Sequence, residues 1–171
     1  MNKISKFEKV SFGQFKTDFL DSFPNTKQNI EQLYESIQRP RRATTGSAGY
    51  DFYSPIEFYL EPGQTMKIPT GIRARMDSSW VLMLFPRSGL GFKYRLQLNN
   101  TVGVIDSDYY HAKNEGHIFI KITNDSNEGK VLSLDKGDAF AQGIFLPFGI
   151  TEDDDADGVR VSGLGSTSEK K

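Results

Sequence analysis

An all-β fold, a distorted jelly-roll β-barrel carrying one inserted amphipathic helix, is what this sequence predicts, on three observations. Apolar residues recur at period two in short runs, as at Ile118, Ile120 and Ile122, the mark of a half-buried strand. Turn formers separate the runs at short intervals, at Pro62-Gly63, Asn99-Asn100, Asn127-Glu128-Gly129 and Lys136-Gly137-Asp138, and many short punctuated strands make a sandwich or barrel. Only one stretch, Ile30, Leu33, Tyr34 and Ile37, has apolar residues at i, i+3, i+4 and i+7, the stripe of an amphipathic helix.

That helix starts after Pro24 and is stopped by Pro40, so the insertion covers about residues 25–38. We read it as packed on the barrel, with a surface open to an unidentified protein partner. Strands then follow at Phe52 to Leu60, Gln64 to Ile68, Gly71 to Met76, Trp80 to Phe85, Gly116 to Thr123, Lys130 to Leu134 and Ala139 to Pro147. The barrel domain therefore spans residues 1–150. Residues 151–171 form an acidic linker, Glu152-Asp153-Asp154-Asp155-Ala156-Asp157-Gly158, and a flexible C-terminal arm rich in glycine and hydroxyls.

Composition narrows the function. A formal net charge of −1 offers no global attraction for nucleic acid or a membrane surface. The absence of cysteine excludes thiolate catalysis and disulfides. Two histidines, His111 and His117, are too few for a histidine-rich metal cage and read as surface residues. The longest apolar run, Trp80 to Phe85, is far too short to span a bilayer. The first residues lack the apolar stretch of a signal peptide, so a cytoplasmic location is expected.

Five segments carry chemistry. In Asn100 followed by Gly103-Val104-Ile105-Asp106-Ser107-Asp108-Tyr109, a short apolar strand runs into two carboxylates and an aromatic residue. Asn99-Asn100 and Gly103 permit the positive torsions of a tight hairpin turn. Such a hairpin could aim an amide and backbone groups at a base edge, with Asp106 beside it to take a proton from water. A surface hairpin whose aspartates only form turns fits that segment equally well. Pro86-Arg87-Ser88-Gly89 offers guanidinium, hydroxyl and backbone donors to phosphate oxygens, and an ordinary turn is the competing reading. Arg160, Ser166 and Thr167 repeat that chemistry in the arm. Asp51, in Ala48-Gly49-Tyr50-Asp51, could orient an arginine or meet a hydrated metal. Gln142, in Asp138 to Gln142, looks buried and needs hydrogen-bond partners.

Taken in order, these segments resemble the five motifs of the homotrimeric deoxyuridine triphosphatases, and they span residues 48–167. The resemblance implies a jelly-roll trimer whose active sites are each assembled from more than one subunit. It implies hydrolysis of dUTP to dUMP and pyrophosphate, which limits uracil in DNA and supplies dUMP. By carry-over, Asp106 is the general base, and Asp51 and Gln142 complete the catalytic group. Asn100 and the backbone of Gly103, Val104, Ile105 and Asp106 read uracil, and Tyr109 stacks under deoxyribose. Arg87, Ser88, Gly89 and Gln142 hold the phosphates, and Arg160, Leu164, Gly165, Ser166 and Thr167 close over the ligand. Magnesium is expected to ride on the triphosphate rather than on direct protein ligands.

The sequence departs from that pattern in three places. Leu164 stands where the family usually has phenylalanine; His111 replaces a common glycine, with Ala112 to Glu115 resembling a small insertion; and the helix before Pro40 lies outside the pattern. Two alternatives share the fold: a deoxycytidine triphosphate deaminase, disfavoured by Lys121 where that pattern places glutamate, and a nucleotide-binding regulatory protein.

Overall fold

The structure, a computed structural model, describes residues 2–160. Its eleven strands, all paired antiparallel, form four small sheets, the distorted jelly-roll barrel expected from the punctuated strand pattern. In chain order the strands are β1 (Ser5–Lys9), β2 (Tyr50–Tyr53), β3 (Phe58–Leu60), β4 (Thr65–Pro69), β5 (Ile72–Met76) and β6 (Trp80–Pro86). They continue with β7 (Leu96–Leu98), β8 (Gly103–Ile105), β9 (Phe119–Asn124), β10 (Leu132–Leu134) and β11 (Ala139–Pro147). The sheet order is β2-β11-β6-β8 in the largest sheet and β4-β9-β7 in the next, with β1-β5 and β10-β3 as two-stranded pairs. Strand alternation builds the core. Ile118, Ile120 and Ile122 are at most 2% exposed while Lys121 between them faces solvent.

The strand expected over Phe52 to Leu60 is two strands, β2 and β3. Pro55 cannot donate to a ladder, and the Ser54 hydroxyl donates instead to the Ile56 carbonyl at 2.6 Å, bending the chain. The strand expected from Gly116 starts only at Phe119. Gly116 has φ +70° and an added Cβ would lie 2.7 Å from the Tyr109 carbonyl oxygen, so this residue belongs to a tight turn.

The helix expected at about 25–38 is present over Ile30–Ser36, and a further helix that the sequence reading missed lies before it. Helix α1 (Phe12–Ser22) is capped by Ser11, whose hydroxyl accepts from the Gln14 amide, and buries Phe15 and Phe19. Helix α2 (Ile30–Ser36) is capped by Asn29 and buries Leu33, with Ile37 buried just past its end. Its apolar face is thus packed within the chain. A third helix, α3 (Ser88–Tyr94), follows β6 where a turn was expected, and a 3₁₀ turn covers Ser107–His111.

Candidate active site

Strand β11 lies between β2 and β6, and this order gathers the first group of candidate residues. Gln142 is opposite Asp51 on β2 and Phe85 on β6. Arg87, one residue past β6, therefore reaches Asp51, with its Nε 3.4 Å from the Asp51 Oδ1. The Gln142 amide donates to the Pro86 carbonyl at 3.4 Å. Gly49 passes so close that a Cβ there would meet Gln142 Oε1 at 2.6 Å. Arg87, Ser88 and Gly89 line a cavity of about 540 Å³ that also includes Asp138, from the Asp138 to Gln142 segment, and Leu134, which sequence reasoning did not single out. A guanidinium and a hydroxyl around one open cavity suit an anionic chain of phosphates.

The second group surrounds β8. The expected hairpin is instead a loop crossing between sheets, since β7 pairs with β9 and β8 pairs with β6. Positive φ falls on Thr101, at 65°, rather than on Asn99, Asn100 or Gly103. Gly103 serves close approach: a Cβ there would lie 3.0 Å from the Leu84 side chain. Because the two strands part, a largely apolar cavity of about 320 Å³ opens between the sheets. Asn100, Gly103, Val104 and Ile105 line it, as do Lys67 and Phe119, which the sequence did not flag. The only signal was the alternation of β9, which puts Phe119 and Lys121 opposite the buried isoleucines.

Asp106 and Tyr109 follow directly. Asp106 caps the 3₁₀ turn with its backbone only, leaving its carboxylate unused by the cap. Arg160 takes that carboxylate instead, with Nη2 at 2.5 Å from Asp106 Oδ2 and Nε at 2.7 Å from Asp108 Oδ1. Asp106 stays about half exposed. Tyr109 is 4% exposed, donates its hydroxyl to the His117 carbonyl at 2.7 Å and accepts from the Asn114 amide at 2.9 Å. Burial pushes its phenol pKa up, so the ring is a neutral surface. The Arg160 guanidinium lies 5.9 Å from the ring centroid.

His117, expected at the surface, is fully buried. Its Nε2 accepts from the Gly71 amide at 2.7 Å, so Nδ1 carries the proton toward Asp18 Oδ2 at 2.5 Å. Leu164, Gly165, Ser166 and Thr167 lie outside the described residues.

The two groups do not meet within one chain. Ile105 pairs with Leu82, so Asp106 falls beside Val81, about 20 Å of strand from Arg87 at roughly 3.3 Å per residue. The candidate base therefore lies next to one cavity, one residue past Ile105, while Arg87 of the same chain lines another.

Known proteins share this fold. The dUTPase family model matches residues 35–167. The deoxyuridine 5'-triphosphate nucleotidohydrolase of Lactococcus lactis is 40% identical over 134 residues, covering 77% of this chain and 88% of the relative. The crystal structure of dUTPase from Streptococcus mutans superposes with a TM-score of 0.62 at 34% identity, covering 85% of this chain and 98% of that one. A dUTPase from phage phi11 of S. aureus, described with a structural Mg(II) ion, shares the fold at a TM-score of 0.63 and 20% identity, covering 91% of this chain and 98% of that one. With most of its length matched by that model, the chain belongs to the dUTPase family.

Proposed function

We propose that this protein hydrolyses dUTP to dUMP and pyrophosphate. The observation that carries it is the Asp106 carboxylate, unused by its own turn and half exposed, one residue past the strand that lines an apolar cavity of about 320 Å³. The deoxyuridine occupies that cavity, with Asn100 and the backbone from Gly103 to Ile105 on the uracil edge and the Tyr109 ring under the sugar. Asp106 takes a proton from the water that attacks the α-phosphorus. The bond from that phosphorus to the bridging oxygen breaks and pyrophosphate leaves, its charge held by Arg87, Ser88, Gly89 and Gln142. Asp51 holds Arg87 in place. Arg160 and, in the arm, Leu164, Gly165, Ser166 and Thr167 cover the bound nucleotide.

Magnesium would be carried by the triphosphate and water rather than by direct protein ligands, and the Asp51 carboxylate is a hard oxygen donor suited to its hydration shell. The ion supplies charge neutralisation on the triphosphate when bound. The homotrimer is the assembly that the family resemblance implies, and the distance between Asp106 and Arg87 supports a shared site, because a second chain has to bring its phosphate-binding group to the first chain's base pocket. Exposed apolar side chains at Leu146, Phe148 and Ile150 on a single chain support an assembly. No helix among the described residues is long and apolar enough to cross a membrane, and a cytoplasmic location accords with that.

The test is incubation of the purified chain with each deoxynucleoside triphosphate and magnesium. Pyrophosphate released from dUTP in preference to the others is the expected result. Ammonia released from dCTP, or tight binding without turnover, would overturn it.

A further inference from the structure

Residues 2–34 lie before the family-matched region, yet α1 sinks two rings into the core, with Phe15 and Phe19 at most 1% exposed. Those rings are sufficient to fasten the helix. Two carboxylates on the same helix, Asp18 and Asp21, go elsewhere. Asp18 accepts from the buried His117 Nδ1 at 2.5 Å and from the Gln14 amide at 2.8 Å. Asp21 pairs with Lys67 at 2.8 Å. Both partners converge on one ring. The His117 imidazole lies 4.6 Å from the Phe119 centroid, and Lys67 Nζ lies 5.3 Å from it on the same residue. Phe119 and Lys67 line the 320 Å³ cavity.

We propose that α1 is the rear support of the base pocket, with Asp18 and Asp21 acting through His117 and Lys67 to set the Phe119 ring. The proposal rests on the reading of that cavity as the nucleoside site. The charge arrangement agrees with it. Lys67 stands directly opposite Lys121 in the β4–β9 register, where like charges repel, and Asp21 neutralises one of them. Burial pushes the Asp18 carboxyl up, but hydrogen bonds from His117 and Gln14 and the Lys67 charge outweigh that and hold it down. A second departure from the family pattern, Ala112 to Glu115, meets the same helix. Glu115 accepts from the Ser11 amide at 2.7 Å and the Ser11 hydroxyl at 2.6 Å, at the α1 cap. Its neighbour Asn114 donates to the Tyr109 hydroxyl, which itself donates to the His117 carbonyl. The helix, the inserted turn, the sugar-facing tyrosine and the base-pocket ring thus form one connected set, in which Asp18 and Asp21 are positioning residues.

The experiment measures dUTP kinetics, affinity for a non-hydrolysable dUTP analogue and thermal stability on the full-length chain. Asp18→Ala is expected to raise KM and the analogue Kd about tenfold, with kcat within about twofold of wild type. Asp18→Asn, which keeps an acceptor for Nδ1–H, restores both to within about threefold. Leu33→Ala, a core change on α2 that removes none of these polar contacts, lowers the melting temperature and leaves KM in place. Should Asp18→Ala fail to fold, Asp21→Ala at the exposed end of the helix is expected to raise KM two- to threefold, roughly the worth of a surface ion pair. Unchanged KM and Kd in Asp18→Ala, or in Asp21→Ala where the former does not fold, would overturn the proposal. So would an equal KM increase in Leu33→Ala. A wild-type chain that binds the analogue without hydrolysing dUTP sinks the catalytic reading alone, whereas one that does neither sinks both.

Discussion

Replacing Gly49 by alanine tests the phosphate-binding group through a single contact. The new methyl group would lie 2.6 Å from Gln142 Oε1, 3.5 Å from its Cδ and 3.7 Å from its Cβ. Backbone strain is not the problem, because Gly49 is not among the positive-φ residues. The amide end of Gln142 therefore swings away and gives up its long, 3.4 Å bond to the Pro86 carbonyl. Losing that bond costs about 0.5–1.5 kcal/mol of stability. Reduced freedom of the unfolded chain offsets about 0.4–1 kcal/mol, so the melting temperature should barely move. Activity is another matter. If Gln142 donates to a phosphate oxygen, a hydrogen bond to a charged group is lost, about 1.5–3 kcal/mol, or roughly 10- to 150-fold in kcat/KM. Initial rates of pyrophosphate release, measured alongside thermal melts, read both quantities. Gln142→Ala should lose a similar factor, and the double variant no more than either single one, because Gly49→Ala acts only through Gln142. Full activity in Gly49→Ala, or additive losses in the double variant, would refute the reasoning.

Asp106→Asn should keep nucleotide affinity while losing roughly 10² to 10⁴ in kcat, the usual worth of a positioned base; turnover at the wild-type rate would remove Asp106 from that role. Hydrogen bonds from Lys6 and Tyr110, aided by the charges on Lys6 and Arg73, outweigh the opposing effect of burial and lower the Glu8 pKa from 4.5 to about 2. The stabilisation this brings is present above pH 4.5 and is lost as pH falls toward 2, so the melting-temperature advantage of wild type over Glu8→Gln should be larger at pH 6 than at pH 3. A constant difference across that range would rule the coupling out. Light scattering should give three times the 19.3 kDa chain mass, and a monomer at micromolar concentration would exclude a site shared between subunits.

Much of the barrel is visible in the sequence because half-buried strands advertise themselves locally. The run Ala139 to Pro147 is a strand over its whole expected length, and Trp80 to Phe85 extends by only one residue. Failures occur where a local pattern has two physical meanings. Gly103 beside two asparagines reads as turn chemistry, but its missing side chain serves the approach of β8 to Leu84, and the positive torsion sits on Thr101. The stripe at Ile30 to Ile37 is helix α2, but the Phe12, Phe15 and Phe19 spacing of α1 went unread beside that stronger pattern. His117 looked like a polar surface residue, since the partner that makes its burial tolerable, Asp18, is 99 positions away.

The candidate site divides along the same line. Asp51, Arg87 and Gln142 are legible because neighbours on adjacent strands need only the correct strand order, β2-β11-β6, to come together. Phe119 and Lys67 are not, because alternation says which way a side chain leaves its strand and nothing about the cavity it enters. The gap between Asp106 and Arg87 is a further step removed. Each residue is identifiable from its own short segment, but β6 holds the two segments about 20 Å apart along its length, and only a second copy of the chain can close that distance. On the proposed function, a complete site is then a property of the assembly. Changes at Asp106 and changes at Arg87 should accordingly complement one another in mixed oligomers, since one site in such an assembly can draw its base from one chain and its arginine from the other.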